Sequence, residues 1–492
     1  MLFNSMDYLM FFPIVLMVYF LLPVKIRYVW LLIASYYFYT CWYAKHAVIL
    51  LFCTMVTYVG ALLLGMVNKH TLLKKLCMAG CIIINIVILV YFKYRGFIFD
   101  NLSTLSALTK INIFVPKTQY TLPIGISFYT FQAMGYLIDV YRGQTKAEKN
   151  FLKYALFVSF FPQLVAGPIE RSGNLLKQIH VPTKFNADRA RDGLLTIAYG
   201  LFIKVVIADN IAAIIDPIFR EYDTRNGTVL FMATILFAFQ IYCDFEGYTK
   251  IAIGSAKILG FTLMDNFASP YMAGSVKDFW DRWHISLTSW FRDYLYIPLG
   301  GNRKGKLRKY INTLIVFGVS GLWHGAGWHY VVWGEMNGIL IVIQDVTRNW
   351  RDKIYSVCRI NKHKSGWKIL SVIVTFVLID FTWLFFRTDN MKMGLNILHR
   401  ICTELQFRRF LTESFWGEVF PSIVTMMILF ASLVVLLFKD WLKARGVGLK
   451  SCILNQQLVF RWLVYLTIIM VIIFGGAYGE GYEQTQFIYF QF

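Results

Sequence analysis

The sequence predicts an all-α polytopic membrane protein. Of its 492 residues, 57% are hydrophobic and 17% are aromatic, and the mean hydropathy is +0.54. These values exclude an ordinary soluble domain of this length. The net charge of +21 arises from Lys and Arg that cluster between apolar segments, which is typical of the positive-inside rule. We therefore expect contact with a lipid bilayer and no nucleic-acid partner.

Apolar stretches of helical length predict the individual elements. Residues 3–22 lack a basic n-region and a small-residue cleavage site, so we expect a retained helix and not a signal peptide. Several stretches are too short or too interrupted to cross a bilayer cleanly, which predicts re-entrant and interfacial helices within one integral-membrane domain, residues 1–492. The predicted stretches are 9–23, 28–43, 47–67, 76–92, 122–140, 151–166, 193–216, 228–243, 311–325, 329–347, 369–386, 421–438 and 460–476.

Charges beside the first and last helices predict the orientation of both termini. The first eight residues have no Lys or Arg, whereas Lys25 and Arg27 follow the first helix. Five basic residues between 439 and 461 precede the last helix, and none follows Phe474. We expect a multi-pass protein of the cell membrane with both termini outside the cell and an even number of full crossings.

An ionisable side chain, His324, lies in the apolar run of residues 311–333. An intramembrane histidine is energetically unfavourable, and its default interpretation is functional. Basic stretches at 303–309 and 348–368 place both flanks on the cytoplasmic side, and the roughly 38 residues between them are too few for two full spans. At ~1.5 Å per residue, His324 is expected ~20 Å from Ile311, inside a hydrocarbon core ~30 Å thick.

A second histidine, His284, belongs to residues 278–298, where charged and aromatic side chains alternate with the period of one amphipathic helix. We expect this helix to lie in the membrane interface or dip into the membrane. His284 follows Asp281 by three residues, so the carboxylate would fix the imidazole tautomer and raise its basicity. A histidine that is hydrogen-bonded for structural reasons explains the pattern equally well.

Three more charges, Asp244, Glu246 and Lys250, interrupt an apolar segment, and we expect Lys250 to pair with one of the carboxylates.

The chain has no Gly-x-Ser-x-Gly elbow, Walker loop, dinucleotide fingerprint or His-Glu-x-x-His helix. Among the reaction classes considered, acid/base chemistry by a histidine inside a membrane cavity remains. This chemistry suits the movement of a group between hydroxyls or from a thioester to a hydroxyl.

Five motifs make the chain similar to the membrane-bound O-acyltransferase family, and specifically to its bacterial alginate O-acetyltransferase branch. They are Leu122-Pro-Ile-Gly-Ile-Ser-Phe-Tyr-Thr-Phe-Gln132, Phe161-Pro-Gln-Leu-Val-Ala-Gly-Pro-Ile-Glu-Arg171, Arg282-Trp-His-Ile-Ser-Leu287, Trp290-Phe-Arg-Asp-Tyr-Leu-Tyr-Ile-Pro-Leu-Gly-Gly-Asn302 and Ser320-Gly-Leu-Trp-His-Gly325. The match covers most of the chain. Relatives usually have Ser-Gly-Tyr-Ser-Asp at Glu246-Gly-Tyr-Thr-Lys250, and His329 stands where a non-ionisable residue is expected. We interpret His329 as an aromatic-belt residue in preference to a catalytic one.

The resemblance implies a ring of transmembrane helices around a central funnel, where a cytoplasmic acyl donor meets an outer acceptor. It implies that His324 is the catalytic histidine and His284 the second active-site position. We expect Asp281, Trp323 and Ser320 to support them.

The expected donor is acetyl-CoA, without a metal. The phosphates of coenzyme A are expected to be attracted by Arg303, Lys304 and Lys306, although membrane topology alone explains these residues more economically.

The C-terminal tail, residues 477–492, is expected outside the membrane. Its end, Phe487-Ile-Tyr-Phe-Gln-Phe492, resembles the aromatic motif of the small peptide that accompanies the D-alanyl transfer member of the family. Tyr489 would then carry the acetyl group to a serine-hydrolase-like (SGNH) partner that modifies a polysaccharide. An interfacial anchor explains the aromatic residues equally well.

Together these observations predict an O-acetyltransferase subunit for an extracellular or cell-wall polysaccharide. D-alanyl transfer to teichoic acid is the alternative within the same family. A secondary transporter or proton channel with buried histidines is the alternative from another class.

Overall fold

The computed structural model describes residues 1–67, 71–109, 122–165, 167–362 and 364–478. Those residues form helices and contain no strand. The first twelve α-helices are α1 (Met6–Leu21), α2 (Arg27–Thr40), α3 (Ala44–Met66), α4 (Leu72–Leu89), α5 (Arg95–Thr109), α6 (Ile126–Tyr141), α7 (Phe151–Ser159), α8 (Phe161–Leu164), α9 (Lys177–Ile179), α10 (Ala187–Leu201), α11 (Asp209–Arg220) and α12 (Gly227–Leu259).

The remaining α-helices are α13 (Val276–Arg282), α14 (Ile285–Phe291), α15 (Lys306–His324), α16 (Trp328–Val346), α17 (Arg348–Val357), α18 (Ser365–Arg387), α19 (Met391–Glu404), α20 (Glu413–Val419), α21 (Ile423–Ala444), α22 (Leu449–Leu454) and α23 (Leu458–Gly475). Short π-helical segments occur at Val90–Tyr94, Ser172–Leu176, Phe202–Ala208 and Arg292–Tyr296. Short 3₁₀-helical turns occur at Val24–Ile26, Pro270–Met272 and Phe407–Leu411.

Each of the thirteen predicted apolar stretches overlaps at least one helix, and the predicted all-α membrane fold is confirmed. Within the described part of the chain, seven helices are long and apolar enough to cross a membrane. These are Ala44–Met66, Leu72–Thr109, Ala187–Arg220, Gly227–Leu259, Ser365–Arg387, Ile423–Ala444 and Leu458–Gly475. Helix α15, which begins within the basic stretch at 303–309, and helix α16 do not belong to this set.

The chain divides into two compact units. The first contains residues 1–197 and 249–264, and its helices are tied by buried hydroxyl groups. Tyr154 Oη donates to Thr57 Oγ1 at 2.7 Å, and the Tyr8 and Ser255 hydroxyls are also 2.7 Å apart. Because these bonds join residues far apart in sequence, they fix how the helices of the first unit pack.

The second unit contains residues 198–248 and most of the chain after 264. Its central feature is the hairpin of α15 and α16, whose backbones touch. A Cβ atom on Gly334 would collide with the carbonyl oxygen of Phe317, and one on Gly321 would collide with that of Tyr330. Glycine at both positions therefore allows the close approach that fixes the end of α15, where His324 lies.

A buried ion cluster also belongs to the second unit. Lys204 Nζ lies 2.7 Å from Asp209 Oδ1 and 2.6 Å from Asp244 Oδ1, and all three side chains are almost fully buried. The sequence predicts that Lys250 pairs with Asp244 or Glu246; Asp244 forms an ion pair with Lys204, a residue in a π-helical segment, and a pair between Lys250 and Glu246 stays a prediction. A buried carboxylate needs such a counter-charge, and the pair joins the Phe202–Ala208 segment to α12.

Candidate active site

His324 is the last residue of α15 and is 3% exposed. Its imidazole lies among aromatic rings, with centroid distances of 4.9 Å to Trp323, 5.0 Å to Trp333 and 5.5 Å to Phe386. All three contacts are close to edge-to-face. Such packing excludes bulk water from the ring and holds it in one orientation.

His284 lies beside His324, with ring centroids 6.5 Å apart. It is 1% exposed and packs against Phe245 at 4.7 Å and Trp323 at 6.0 Å. The structure thus brings together both predicted histidines, and Trp323 contacts the two rings. We call this group the aromatic pocket, defined by His284, His324, Trp323, Trp333 and Phe386.

The backbone at His284 is unusual, because φ is +46° and ψ is +51°. A non-glycine residue in this left-handed region is uncommon and is held there only by its surroundings. Asn266 supplies part of that support, since its carbonyl oxygen accepts from Ile285 N and its Oδ1 accepts from Ser286 N. Asn266 is fully buried, and no sequence pattern had singled it out.

The predicted single helix over residues 278–298 is wrong. Helix α13 ends at Arg282, Trp283 is extended, and α14 begins only at Ile285. The i, i+3 relation assumed between Asp281 and His284 is therefore absent. The exposed Asp281 side chain instead accepts a hydrogen bond from Lys277 Nζ at 2.7 Å.

Burial lowers the pKa of His284 to about 3. His284 lies outside the seven helices that could cross a membrane. The imidazole is therefore neutral at physiological pH and has one N–H donor and one acceptor nitrogen. A neutral ring of this kind can orient or polarise a carbonyl group, but it carries no charge with which to bind a phosphate.

Tryptophans extend the aromatic pocket away from the histidines. Trp333 stacks on Trp383 at 5.5 Å and meets Trp280 edge-to-face at 5.7 Å. Asn337 Oδ1 accepts a hydrogen bond from Trp280 Nε1. Trp280 therefore has a fixed position in contact with Trp333, and Trp333 in turn contacts His324.

Trp280 also forms part of the wall of a cavity of about 800 Å³. We call this the basic cavity. Six basic side chains line it: Lys277, Arg292, Lys309, Arg348, Arg351 and Lys362. Its volume is in the range of pockets that bind organic ligands of cofactor size.

Three carboxylates neutralise the lysines of the basic cavity. Lys277 pairs with Asp281, Lys309 with Asp345 at 2.7 Å, and Lys362 with Asp352. The hydrogen bond from Lys309 lowers the pKa of Asp345, so this carboxylate stays ionised. Arg292 is also paired, with Asp293 at 2.8 Å, so the excess positive charge of the cavity comes from Arg348 and Arg351 and favours a polyanionic ligand.

The other predicted residues lie in different places. Ser320 is buried one turn before His324 in α15. The side chains of Arg303, Lys304 and Lys306 are exposed and do not line the basic cavity. Lys306 begins α15, about 27 Å along the helix axis from His324.

His329 is half-buried, and its ring centroid lies 4.1 Å from that of Tyr330. Its interpretation as an aromatic-belt residue stays a prediction. Tyr489, the predicted acyl carrier, lies outside the described residues.

Known proteins resemble this chain over most of its length. The model of the membrane-bound O-acyltransferase family matches residues 144–386. A protein named probable alginate O-acetylase AlgI, from Pseudomonas aeruginosa, is 36% identical over 395 residues, which are 80% of this chain and 73% of the relative.

Two further relatives have different names. A peptidoglycan O-acetyltransferase of Helicobacter pylori is 35% identical over 75% of this chain and 72% of its own length. A teichoic acid D-alanyltransferase of Streptococcus thermophilus is 29% identical over 57% of this chain and 72% of its own length. The chain is an acyltransferase and belongs to the membrane-bound O-acyltransferase family.

Proposed function

We propose that this protein transfers acetyl groups from cytoplasmic acetyl-CoA towards the outside of the cell, where they O-acetylate an extracellular or cell-wall polysaccharide. The observation that carries the proposal is the aromatic pocket, in which the buried imidazole of His324 lies 6.5 Å from that of His284. Relatives whose names specify alginate or peptidoglycan O-acetylation support a carbohydrate acceptor.

His324 acts as the general base in this proposal. It takes the proton of an acceptor hydroxyl while that oxygen attacks the thioester carbonyl, and the new ester forms as the carbon–sulfur bond breaks. The imidazolium then returns the proton to the departing thiolate, so that free thiol leaves. A positioned base typically contributes ~10²–10⁴ to the rate of such a step.

His284 polarises the carbonyl of the donor. As a neutral ring with one N–H, it stabilises the oxygen on which negative charge develops. Its left-handed backbone, supported by Asn266, fixes the direction of the imidazole before the substrate arrives.

The basic cavity binds the nucleotide part of the donor. Coenzyme A carries a pyrophosphate and a 3′-phosphate, which match the excess positive charge of Arg348 and Arg351. The wall residue Trp280 contacts Trp333, and Trp333 contacts His324. A donor whose phosphates occupy the cavity can therefore direct its thioester arm towards the base. This site replaces the exposed residues Arg303, Lys304 and Lys306 as our donor-binding proposal.

The C-terminal tail receives the acetyl group on Tyr489 and presents it to an extracytoplasmic serine-hydrolase-like transferase. The tail leaves from an anchored position, because Ala477 N donates to Val205 O and Asn210 Nδ2 donates to Gly475 O. Twelve residues after Ala477, Tyr489 has a reach of up to ~40 Å along an extended chain.

D-alanyl transfer to teichoic acid is the second candidate, supported by the Streptococcus thermophilus relative. Its name specifies a different acyl group, so mass spectrometry of the group released from the polymer by mild base distinguishes the two. Release of acetate supports our proposal, and release of D-alanine overturns it.

The decisive experiment compares polymer acetylation in strains that express the wild type, His324→Ala, Tyr489→Phe and the matched control His329→Gln. We expect loss of acetate from the polymer in the first two variants and a wild-type level in the control. Normal acetylation with His324→Ala would eliminate the proposed base. Normal acetylation with Tyr489→Phe would eliminate the carrier step alone.

A further inference from the structure

A small pocket in the first unit is unrelated to the histidines. It lies where the turn between α1 and α2 meets α7 and the segment that follows α9, and its volume is about 150 Å³. Its polar lining includes Tyr19, Lys25, Arg27, Lys153, His180 and Thr183. We call it the loop pocket. A pocket of this size suits a phosphate group better than a whole nucleotide.

The positive charge at the loop pocket is fixed in place. Arg27 donates to three carbonyl oxygens: Nε to Leu22 at 2.9 Å, Nη1 to Thr183 at 2.6 Å and Nη2 to Phe20 at 3.2 Å. Its guanidinium also lies over the ring of Tyr19. These contacts hold the charge at the pocket wall without neutralising it, because carbonyl oxygens carry no formal charge.

Lys153 is also held at the loop pocket. Its Nζ lies 2.9 Å from His180 Nδ1 and above the ring of Tyr28, while His180 Nε2 lies 2.6 Å from Glu148. Lys25 is exposed at the mouth. Lys25, Arg27 and Lys153 line the pocket, whereas the carboxylate of Glu148 reaches it only through its contact with His180, so the pocket has a positive excess.

Apolar side chains surround this charge and project outwards. Phe20, near the end of α1, packs edge-to-face at 5.3 Å against Phe185 in the segment that follows α9. Exposed apolar residues nearby are Leu21, Val24, Ile26, Val181 and Phe185. Basic groups framed by exposed apolar side chains at the end of an apolar helix are typical of the level of lipid headgroups.

We propose that the loop pocket binds the phosphate of an anionic phospholipid from the leaflet around the α1–α2 turn. Lys25 and Lys153 contact the phosphate, Arg27 provides the fixed charge, and the apolar rim contacts the glycerol and the first carbons of the acyl chains. Basic pockets between membrane helices bind anionic headgroups in this way. The rim favours a lipid over free phosphate, which would gain nothing from it.

Native mass spectrometry of the full chain in detergent tests the proposal. Phosphatidylglycerol and phosphatidylcholine are added separately to the wild type, Lys153→Ala, Lys25→Glu and Lys184→Ala. Lys184 is the matched control, because it is an exposed lysine in the segment that follows α9 but does not line the pocket. We expect phosphatidylglycerol to bind more tightly than phosphatidylcholine, with about fivefold weaker binding for Lys153→Ala, a larger loss for Lys25→Glu and no change for Lys184→Ala.

Three outcomes would overturn the proposal. These are equal binding of both lipids, pocket variants that bind phosphatidylglycerol like the wild type, or displacement of the lipid by millimolar inorganic phosphate, which would identify free phosphate as the ligand. Lys25 is exposed, so Lys25→Glu tests the site even where Lys153→Ala fails to fold, and a melting curve of each variant separates the two causes.

Discussion

The aromatic pocket and the basic cavity meet at the contact between Trp333 and Trp280, but their side chains are arranged in opposite ways. In the aromatic pocket, the rings of His324 and His284 contact other rings and are almost fully buried. In the basic cavity, Lys277, Lys309 and Lys362 are each paired with a carboxylate near solvent. The ring contacts of the aromatic pocket hold the two imidazoles in one geometry and exclude water. The ion pairs of the basic cavity tolerate the exchange of one charged partner for another. The difference predicts that proton transfer and donor binding depend on separate sets of residues.

The largest effect is expected from His324→Gln, which keeps a polar side chain but removes the base. We expect kcat for acetyl transfer to fall by ~10²–10⁴, with the dissociation constant for coenzyme A within twofold of the wild type. Steady-state kinetics and calorimetry on purified protein measure the two quantities. A parallel loss of coenzyme A binding would contradict the separation of the two regions.

The next largest effect is expected from Trp333→Ala, which removes a ring that contacts both His324 and Trp280. Deletion of a buried tryptophan typically destabilises a fold by ~3–5 kcal/mol, so we expect a clearly lower melting temperature. Trp350→Ala is the matched control, since that ring is 66% exposed and its loss should cost less than ~0.5 kcal/mol. Similar melting temperatures for the two variants would mean that the aromatic pocket is not closely packed.

A smaller effect is expected in the basic cavity. Replacement of either Arg348 or Arg351 by Ala should raise KM for acetyl-CoA about tenfold, the loss expected for one charged hydrogen bond, while kcat stays within twofold. Arg303→Ala should leave KM unchanged, because that side chain does not line the cavity. The reverse result would restore the donor site that the sequence alone suggested.

The smallest effect is expected from Asp352→Asn, which releases Lys362 from its ion pair. Exposed pairs contribute little to stability, so the melting temperature should not change. The freed lysine adds positive charge to the cavity, and we expect KM for acetyl-CoA to fall about twofold. A higher KM would indicate that Asp352 holds Lys362 in its binding position.

Much of the fold follows from the sequence, because apolar length and flanking charge are local properties. Each of the thirteen apolar stretches overlaps at least one helix, and the helix that contains His324 ends at the histidine itself. The break between α13 and α14 could not be predicted, since nothing in the residues around His284 indicates a left-handed backbone. That conformation depends on Asn266, which approaches from outside the motif.

The basic cavity was missed for a related reason. Its cationic residues come from five separate segments between Lys277 and Lys362, and helix packing brings them together. The sequence favoured the compact run at 303–309, where charge density is highest along the chain. Lys204 was overlooked because a lone lysine in an apolar segment reveals its carboxylate partners only in three dimensions.

The glycine contacts between α15 and α16 also constrain how the protein moves. Because Gly321 and Gly334 let the two backbones touch, neither helix can slide or rotate without the other. The hairpin should behave as one rigid strut on the timescale of turnover. His324 then keeps its position relative to the hairpin, and any rearrangement during the catalytic cycle must occur in the substrates and in the surrounding elements.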